Sequence, residues 1–143
     1  MAISYPDQES GSASPRLLHQ VFEQVARAHA DRIAVEVPPC ATDSRRVSVT
    51  YAELDALADR IAAALGRFVT GECIVATHLS RRDPSLYAAQ LGIMKAGAAY
   101  TSLPSATPDE VLRHILQDSQ AVAVVTSREF REHALALGVP ADS

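Results

Sequence analysis

Two short, nearly unbroken apolar runs constrain this chain more than anything else in it: Cys73-Ile74-Val75-Ala76-Thr77-His78-Leu79 and Ala121-Val122-Ala123-Val124-Val125. A strand with one wet face alternates apolar and polar residues. A run without that alternation belongs to a strand covered on both faces, as inside a parallel sheet flanked by helices. The segments between and around the runs repeat at helical spacing: Leu54, Leu57, Ala58, Ile61, Ala62 and Leu65, then Leu86, Tyr87, Gln90, Leu91 and Met94, then Val111, Leu112, Ile115 and Leu116. Strands and helices therefore alternate, and the expected class is α/β, a mostly parallel sheet with flanking helices.

The punctuation sharpens this. Residues 1–14 are polar and rich in Ser, Gly and Pro, the composition of a flexible lead-in. Ser14-Pro15 suits a helix start, and Leu17, Leu18, Val21, Phe22, Val25 and Ala26 predict a helix over 15–29. Ile33, Val35 and Val37 predict a half-buried strand ended by Pro38-Pro39, with a polar hairpin-like loop over 40–46. Val47, Val49 and Tyr51 form a second alternating strand that runs into a helix at Thr50 and Glu53, which have capping-box spacing, and Gly66 is the expected left-handed end of that helix. Asp83-Pro84 opens the next helix, which runs towards Gly97, and an extended run follows over 98–103. Thr107-Pro108-Asp109-Glu110 combines a cap, a first-turn proline and acids, and a last helix is expected over 128–137, ending at Gly138.

At 143 residues the chain fits one domain or part of a larger one, so residues 15–143 are read as a single unit. The net charge is −4, and Lys95 is the only lysine among thirteen basic residues, whose arginines form no stripe. That disfavours nucleic acid as a partner. Cys40 and Cys73 have no metal-ligand spacing; the expectation is a loop thiol and a small buried hydrophobe. No apolar run approaches the roughly 20 residues that span a bilayer, and the opening MAISYPDQESGSASP has no signal core. No membrane association and a cytoplasmic location are expected.

No catalytic constellation emerges. His19, His29, His78, His114 and His133 fall on different elements, with neither triad nor metal spacing. Ser80 and Ser85 read as helix-start residues, Arg81 and Arg82 as solvated charges, and Lys95 as a cation in the last turn of a helix, where the macrodipole favours it. The six glycines, Gly11, Gly66, Gly71, Gly92, Gly97 and Gly138, never cluster into a phosphate-cradling loop.

Two segments resemble a known family. The run Val49-Thr50-Tyr51-Ala52-Glu53-Leu54-Asp55-Ala56-Leu57-Ala58-Asp59-Arg60-Ile61-Ala62 is similar to the first core motif of adenylate-forming enzymes. The run Ile93-Met94-Lys95-Ala96-Gly97-Ala98-Ala99-Tyr100 is similar to the second. Flanking stretches from Leu18 to Glu23, Ile33 to Val35, Ile115 to Ser119 and Val124 to Thr126 agree, so the resemblance covers about residues 16–127 and leans to amino-acid adenylation domains of nonribosomal peptide synthetases. The chain departs from the family at Pro104, where an acid is usual, and at Val111, where an arginine is common.

The resemblance implies the N-terminal part of the adenylate-forming fold. It also implies a parent reaction in which ATP activates an amino-acid carboxylate to acyl-AMP, with transfer to a carrier thiol. In that family the phosphate loop, the adenine and ribose contacts and the catalytic lysine lie beyond the second motif. A truncated segment, inactive alone, is therefore expected, with no catalytic, cofactor-binding or metal residue in this chain; ATP and Mg belong to the parent family. Expected partners are remaining synthetase pieces or a carrier protein. The alternatives are a docking module that completes a synthetase in trans and, more distantly, a flavodoxin-like binder with a crevice near Ser80 and Ser102.

Overall fold

The computed structural model describes residues 17–41 and 43–139. The expected lead-in over 1–14 and the Ser14-Pro15 helix start lie outside the described residues. Ten elements follow one another: α1 Leu18–Ala28, β1 Ile33–Val37, β2 Val47–Thr50, α2 Tyr51–Leu65, β3 Ile74–His78, α3 Ser85–Lys95, β4 Ala99–Ser102, α4 Asp109–Ser119, β5 Ala123–Thr126 and α5 Arg131–Ala136.

The strands form two sheets. β3, β4 and β5 make a parallel sheet in the order β4-β3-β5, with Val75 opposite both Tyr100 and Ala123. β1 and β2 pair antiparallel and stand apart as a hairpin beside the three-stranded parallel sheet, so the expected mostly parallel α/β arrangement is the one observed. Because β3 is central and its helices fall on both sides, its apolar run has no wet face. Val75 packs with Leu65, Ile93, Ala98 and Ala123 towards α2 and α3, while Ala76 packs with Leu103, Leu112 and Leu137 towards α4 and α5. The period-two alternation of a strand sends Val75 and Ala76 to these opposite layers.

A third cluster joins the hairpin to the helices: Leu54, Ala58, Ala88 and Leu91 pack with Phe22, Val35 and Val49. Here α2 and α3 approach closely over small residues. Ala58, Ala88 and Ala89 are fully buried, and a methyl group on Gly92 would lie 2.7 Å from the Ala58 carbonyl oxygen.

Helix ends obey local chemistry, with several departures from expectation. The Thr50 hydroxyl accepts the Glu53 N–H at 3.2 Å while the Glu53 carboxylate accepts the Thr50 N–H at 2.9 Å, as the capping-box spacing requires. The carboxylate also accepts the Thr50 hydroxyl at 2.9 Å, and the two bonds it accepts, first from the Thr50 N–H and then from the hydroxyl, hold the Glu53 carboxyl below its usual range. The next two N–H groups of α2, from Tyr51 and Ala52, find the carbonyls of Arg32 and Ala30. Gly66, expected to be left-handed, is right-handed at φ −56°, because the chain continues turning and both Phe68 and Val69 donate back to the Leu65 carbonyl. No side chain caps α4, so Thr107 does not act as its N-cap; the helix begins after Pro108, and its far end is closed by Gln120 at φ 50°, a left-handed residue without glycine's freedom. Among the described residues α1 starts at Leu18, after an extended Leu17, and α5 starts at Arg131 because 128–130 form a turn.

Candidate functional site

In an open parallel sheet, the carboxyl ends of the strands are where a ligand or reaction centre is ordinarily built. Here that end is reached by Thr77 and His78 on β3, Ser102 and Leu103 at the end of β4, and Thr126 and Ser127 at the end of β5.

Its polar groups are largely spent on one another. The Thr77 hydroxyl lies 3.3 Å from the Thr101 carbonyl and 3.5 Å from the Ser102 hydroxyl. The Thr126 hydroxyl donates to the His78 carbonyl at 2.9 Å. Ser80 accepts the Arg82 N–H at 3.2 Å, and Asp83 accepts the Ser85 N–H at 2.9 Å, so these serines belong to the turn into α3, as the sequence indicates. Ser127 Oγ is buried with no hydrogen-bond partner among the described residues.

The histidines are not all apart. His78, fully buried, places Nδ1 2.8 Å from the Leu103 carbonyl oxygen and Nε2 3.0 Å from Nδ1 of His133. His133 Nε2 in turn lies 3.0 Å from Asp109 Oδ1. The Phe130 ring closes over His78 at 4.9 Å between centroids. This row of contacts links β3, α5 and the first turn of α4. Sequence reasoning missed it because the three residues sit on separate elements and meet only when α4 and α5 cover the same face of the sheet. Among the described residues, no group of three His, Cys, Asp or Glu side chains converges as a metal site.

Lys95 has a stronger reason for its position than the helix dipole. Its side chain is 8% exposed, and Nζ reaches Asp55 at 2.7 Å and Asp59 at 2.5 Å on α2, and Glu23 at 3.4 Å on α1. Burial opposes the ammonium charge, but the hydrogen bonds to Asp55 and Asp59 outweigh it, and the pKa rises above the ordinary lysine value. Asp55 and Asp59 stand at i and i+4, one above the other on α2, and that spacing was the available signal. Arg82 donates to the Pro38 carbonyl at 2.7 Å, tying the β1 exit to the turn after β3.

Nothing among the described residues forms a phosphate cradle. Gly71, Gly97 and Gly138, each with positive φ, serve three separate turns, so the close backbone approach that such residues permit is not brought to one point. One concavity, of about 340 Å³, runs along β5 as far as Thr126, between Ile61, Leu65, Phe68 and Ala134. Another, of about 600 Å³, is lined by Phe22, Tyr51, Tyr87, Met94 and Tyr100. No helix among the described residues is long and apolar enough to cross a membrane.

Comparisons with known proteins agree with the motifs. The family described as AMP-binding enzyme matches residues 22–142. The AMB antimetabolite synthetase AmbB of Pseudomonas aeruginosa is 36% identical over 137 residues, covering 93% of this chain and 10% of that protein. The crystal structure of the nonribosomal peptide synthetase FmoA3 in its α-methyl-L-serine-AMP bound form superimposes with a TM-score of 0.74 at 30% identity, covering 91% of this chain and 14% of that one. NpsA-ThdA of Klebsiella oxytoca, an artificially fused adenylation-PCP di-domain, gives a TM-score of 0.61 at 26% identity over 76% of this chain and 19% of its own. The chain thus spans a small part of the proteins it resembles.

Proposed function

The chain belongs to the AMP-binding enzyme family, and from that premise we propose that it is the N-terminal scaffold segment of an amino-acid adenylation domain of a nonribosomal peptide synthetase. The complete domain activates an amino-acid carboxylate with ATP to an acyl-adenylate and delivers the acyl group to a carrier protein. The carrying observation is the overlay of this chain, over 91% of its length, on a synthetase bound to an aminoacyl-AMP. The unit from residue 15 onward contributes the α2–α3 layer and the sheet beneath it, while ATP and its Mg are held by segments outside these 143 residues.

The geometry supports this division of labour. Transition-state charge on a leaving pyrophosphate needs converging N–H groups and cations. In this chain the only lysine is spent on Glu23, Asp55 and Asp59. The 143 residues alone should give no amino-acid-dependent ATP–pyrophosphate exchange. Grafted in place of the matching segment of the AMB antimetabolite synthetase, they should restore exchange to within about tenfold of the parent, a penalty of roughly 1.4 kcal/mol in the barrier. A folded chimera with no exchange overturns the proposal, as does exchange by the isolated chain.

One observation favours a second reading, docking in trans. Among the described residues both outer strands of the parallel sheet, β4 and β5, pair only with β3, and the groove of about 340 Å³ runs beside β5. An open edge of this kind accepts a further strand. Under this reading the separately expressed remainder of the adenylation domain co-purifies with the chain; its failure to do so at micromolar concentration overturns it.

A further inference from the structure

We propose that Asp109, His133 and His78 form a proton-dependent clamp that fastens α5 to the carboxyl end of the parallel sheet. Counting donors and acceptors leads to it. The row of contacts begins at the Leu103 carbonyl and ends at the Asp109 carboxylate, both of which only accept. Three hydrogen bonds join these ends through two imidazole rings, and each bond needs one N–H. Two neutral imidazoles carry only two N–H protons between them. The third bond therefore requires one extra proton on the pair.

Two arrangements satisfy the count, with the extra proton on either ring, and in both the buried Leu103 carbonyl takes the Nδ1–H of His78 and Asp109 takes the Nε2–H of His133. Burial decides between them: a charge on His78, which is fully buried, costs more than one on His133, so His78 Nε2 accepts the Nδ1–H of His133 and His133 is the imidazolium. The charge sits at the outer, half-exposed ring beside a carboxylate, while fully buried His78 stays neutral. When the extra proton leaves, His133 Nε2 and Asp109 Oδ1 confront each other as two acceptors 3.0 Å apart, and the link from α5 to α4 opens.

The groups facing the pair come from five parts of the fold. α4 supplies Asp109, whose Oδ2 lies 3.6 Å from the Arg113 guanidinium. The residue just past β4 supplies the uncharged Leu103 carbonyl, and β5 the Thr126 hydroxyl, which is engaged with the His78 carbonyl on β3. The start of α5 supplies the Phe130 ring. Asp109 is thus the one carboxylate in hydrogen-bonding contact with the rings among the described residues, and removing its charge is the decisive change. An asparagine in place of Asp109 would donate its amide N–H to an unprotonated His133 Nε2, completing all three bonds with two neutral rings.

The test is hydrogen–deuterium exchange of the 143-residue chain at about pH 6 and about pH 8, values that bracket the ordinary range of histidine. Rates are corrected for intrinsic exchange, and α5 amides are compared with those of α2. Protection of α5 relative to α2 should fall about fivefold at the higher pH, a modest loss because the outer bond is half-exposed. In Asp109→Asn, α5 should be protected equally at both values. In His133→Gln, which has no titrating ring there, the pH effect should vanish as well. Equal protection at both values in the unmodified chain overturns the clamp, and so does an undiminished fall in Asp109→Asn or a fall shared equally by α2.

Discussion

Gly92→Ala should lower the stability of the chain by about 3 kcal/mol, seen as a drop of about 10 °C in the unfolding midpoint. The new methyl would stand 2.7 Å from the Ala58 carbonyl oxygen and 2.8 Å from the Ile61 Cβ. The first of these is backbone, so no rotamer change on α2 relieves the contact and the helices must separate. Alanine's better helix propensity returns roughly 1 kcal/mol, too little to compensate. Gly97→Ala provides the contrast. Gly97 has open space around it but a φ of +88°, so the cost there is conformational and about 1 kcal/mol. Equal midpoints for Gly92→Ala and the unmodified chain would show that α2 and α3 are not in the contact described.

Lys95→Met should cost about 2 kcal/mol in urea unfolding at neutral pH. It removes the one cation shared by Glu23, Asp55 and Asp59 and leaves three carboxylates facing one another between α1, α2 and α3. Breaking a fully buried pair costs roughly 3 to 5 kcal/mol, and the lower figure reflects Asp59, which is 63% exposed and readily rehydrated. The pH dependence has a definite sign. The folded-state pKa of Lys95 is raised, so its contribution is fully present below the ordinary lysine value of 10.5 and is lost as pH climbs above that value through the folded pKa. The stability gap between the unmodified chain and Lys95→Met should therefore be constant through neutral pH and close in strong alkali. A gap that is absent at neutral pH, or that widens in alkali, contradicts the hub.

The layers of the fold are legible in the residues because they depend on short-range pattern. The Cys73–Leu79 run lacks alternation because both faces of β3 are covered, and Thr50 with Glu53 marks the start of α2 because capping is a contact three residues long. What the pattern hides is whatever depends on a second element. Gly92 looks like any helical glycine until α2 is laid against it. Lys95 reads as a dipole contact until Asp55, Asp59 and Glu23 arrive from two other helices. His78 and His133 are too distant in sequence to suggest a pair, and Asp109 reads as a first-turn acid, a role it keeps while also holding His133. Gly66 and Thr107 show the converse: residue types with strong end preferences whose ends are settled by a continuing turn and by Pro108. The family motifs were readable because they lie in this scaffold, whose packing demands are local and repeated.

The central place of β3 also bears on how the chain is made. Val75 pairs with Tyr100 on one side and Ala123 on the other, so a ribosome releases the most deeply buried strand well before either neighbour exists. During that interval the segment is an adhesive surface, open to other nascent copies. Arg81 and Arg82 follow it almost immediately, and a pair of like charges beside an unguarded strand keeps such copies apart until the layers close.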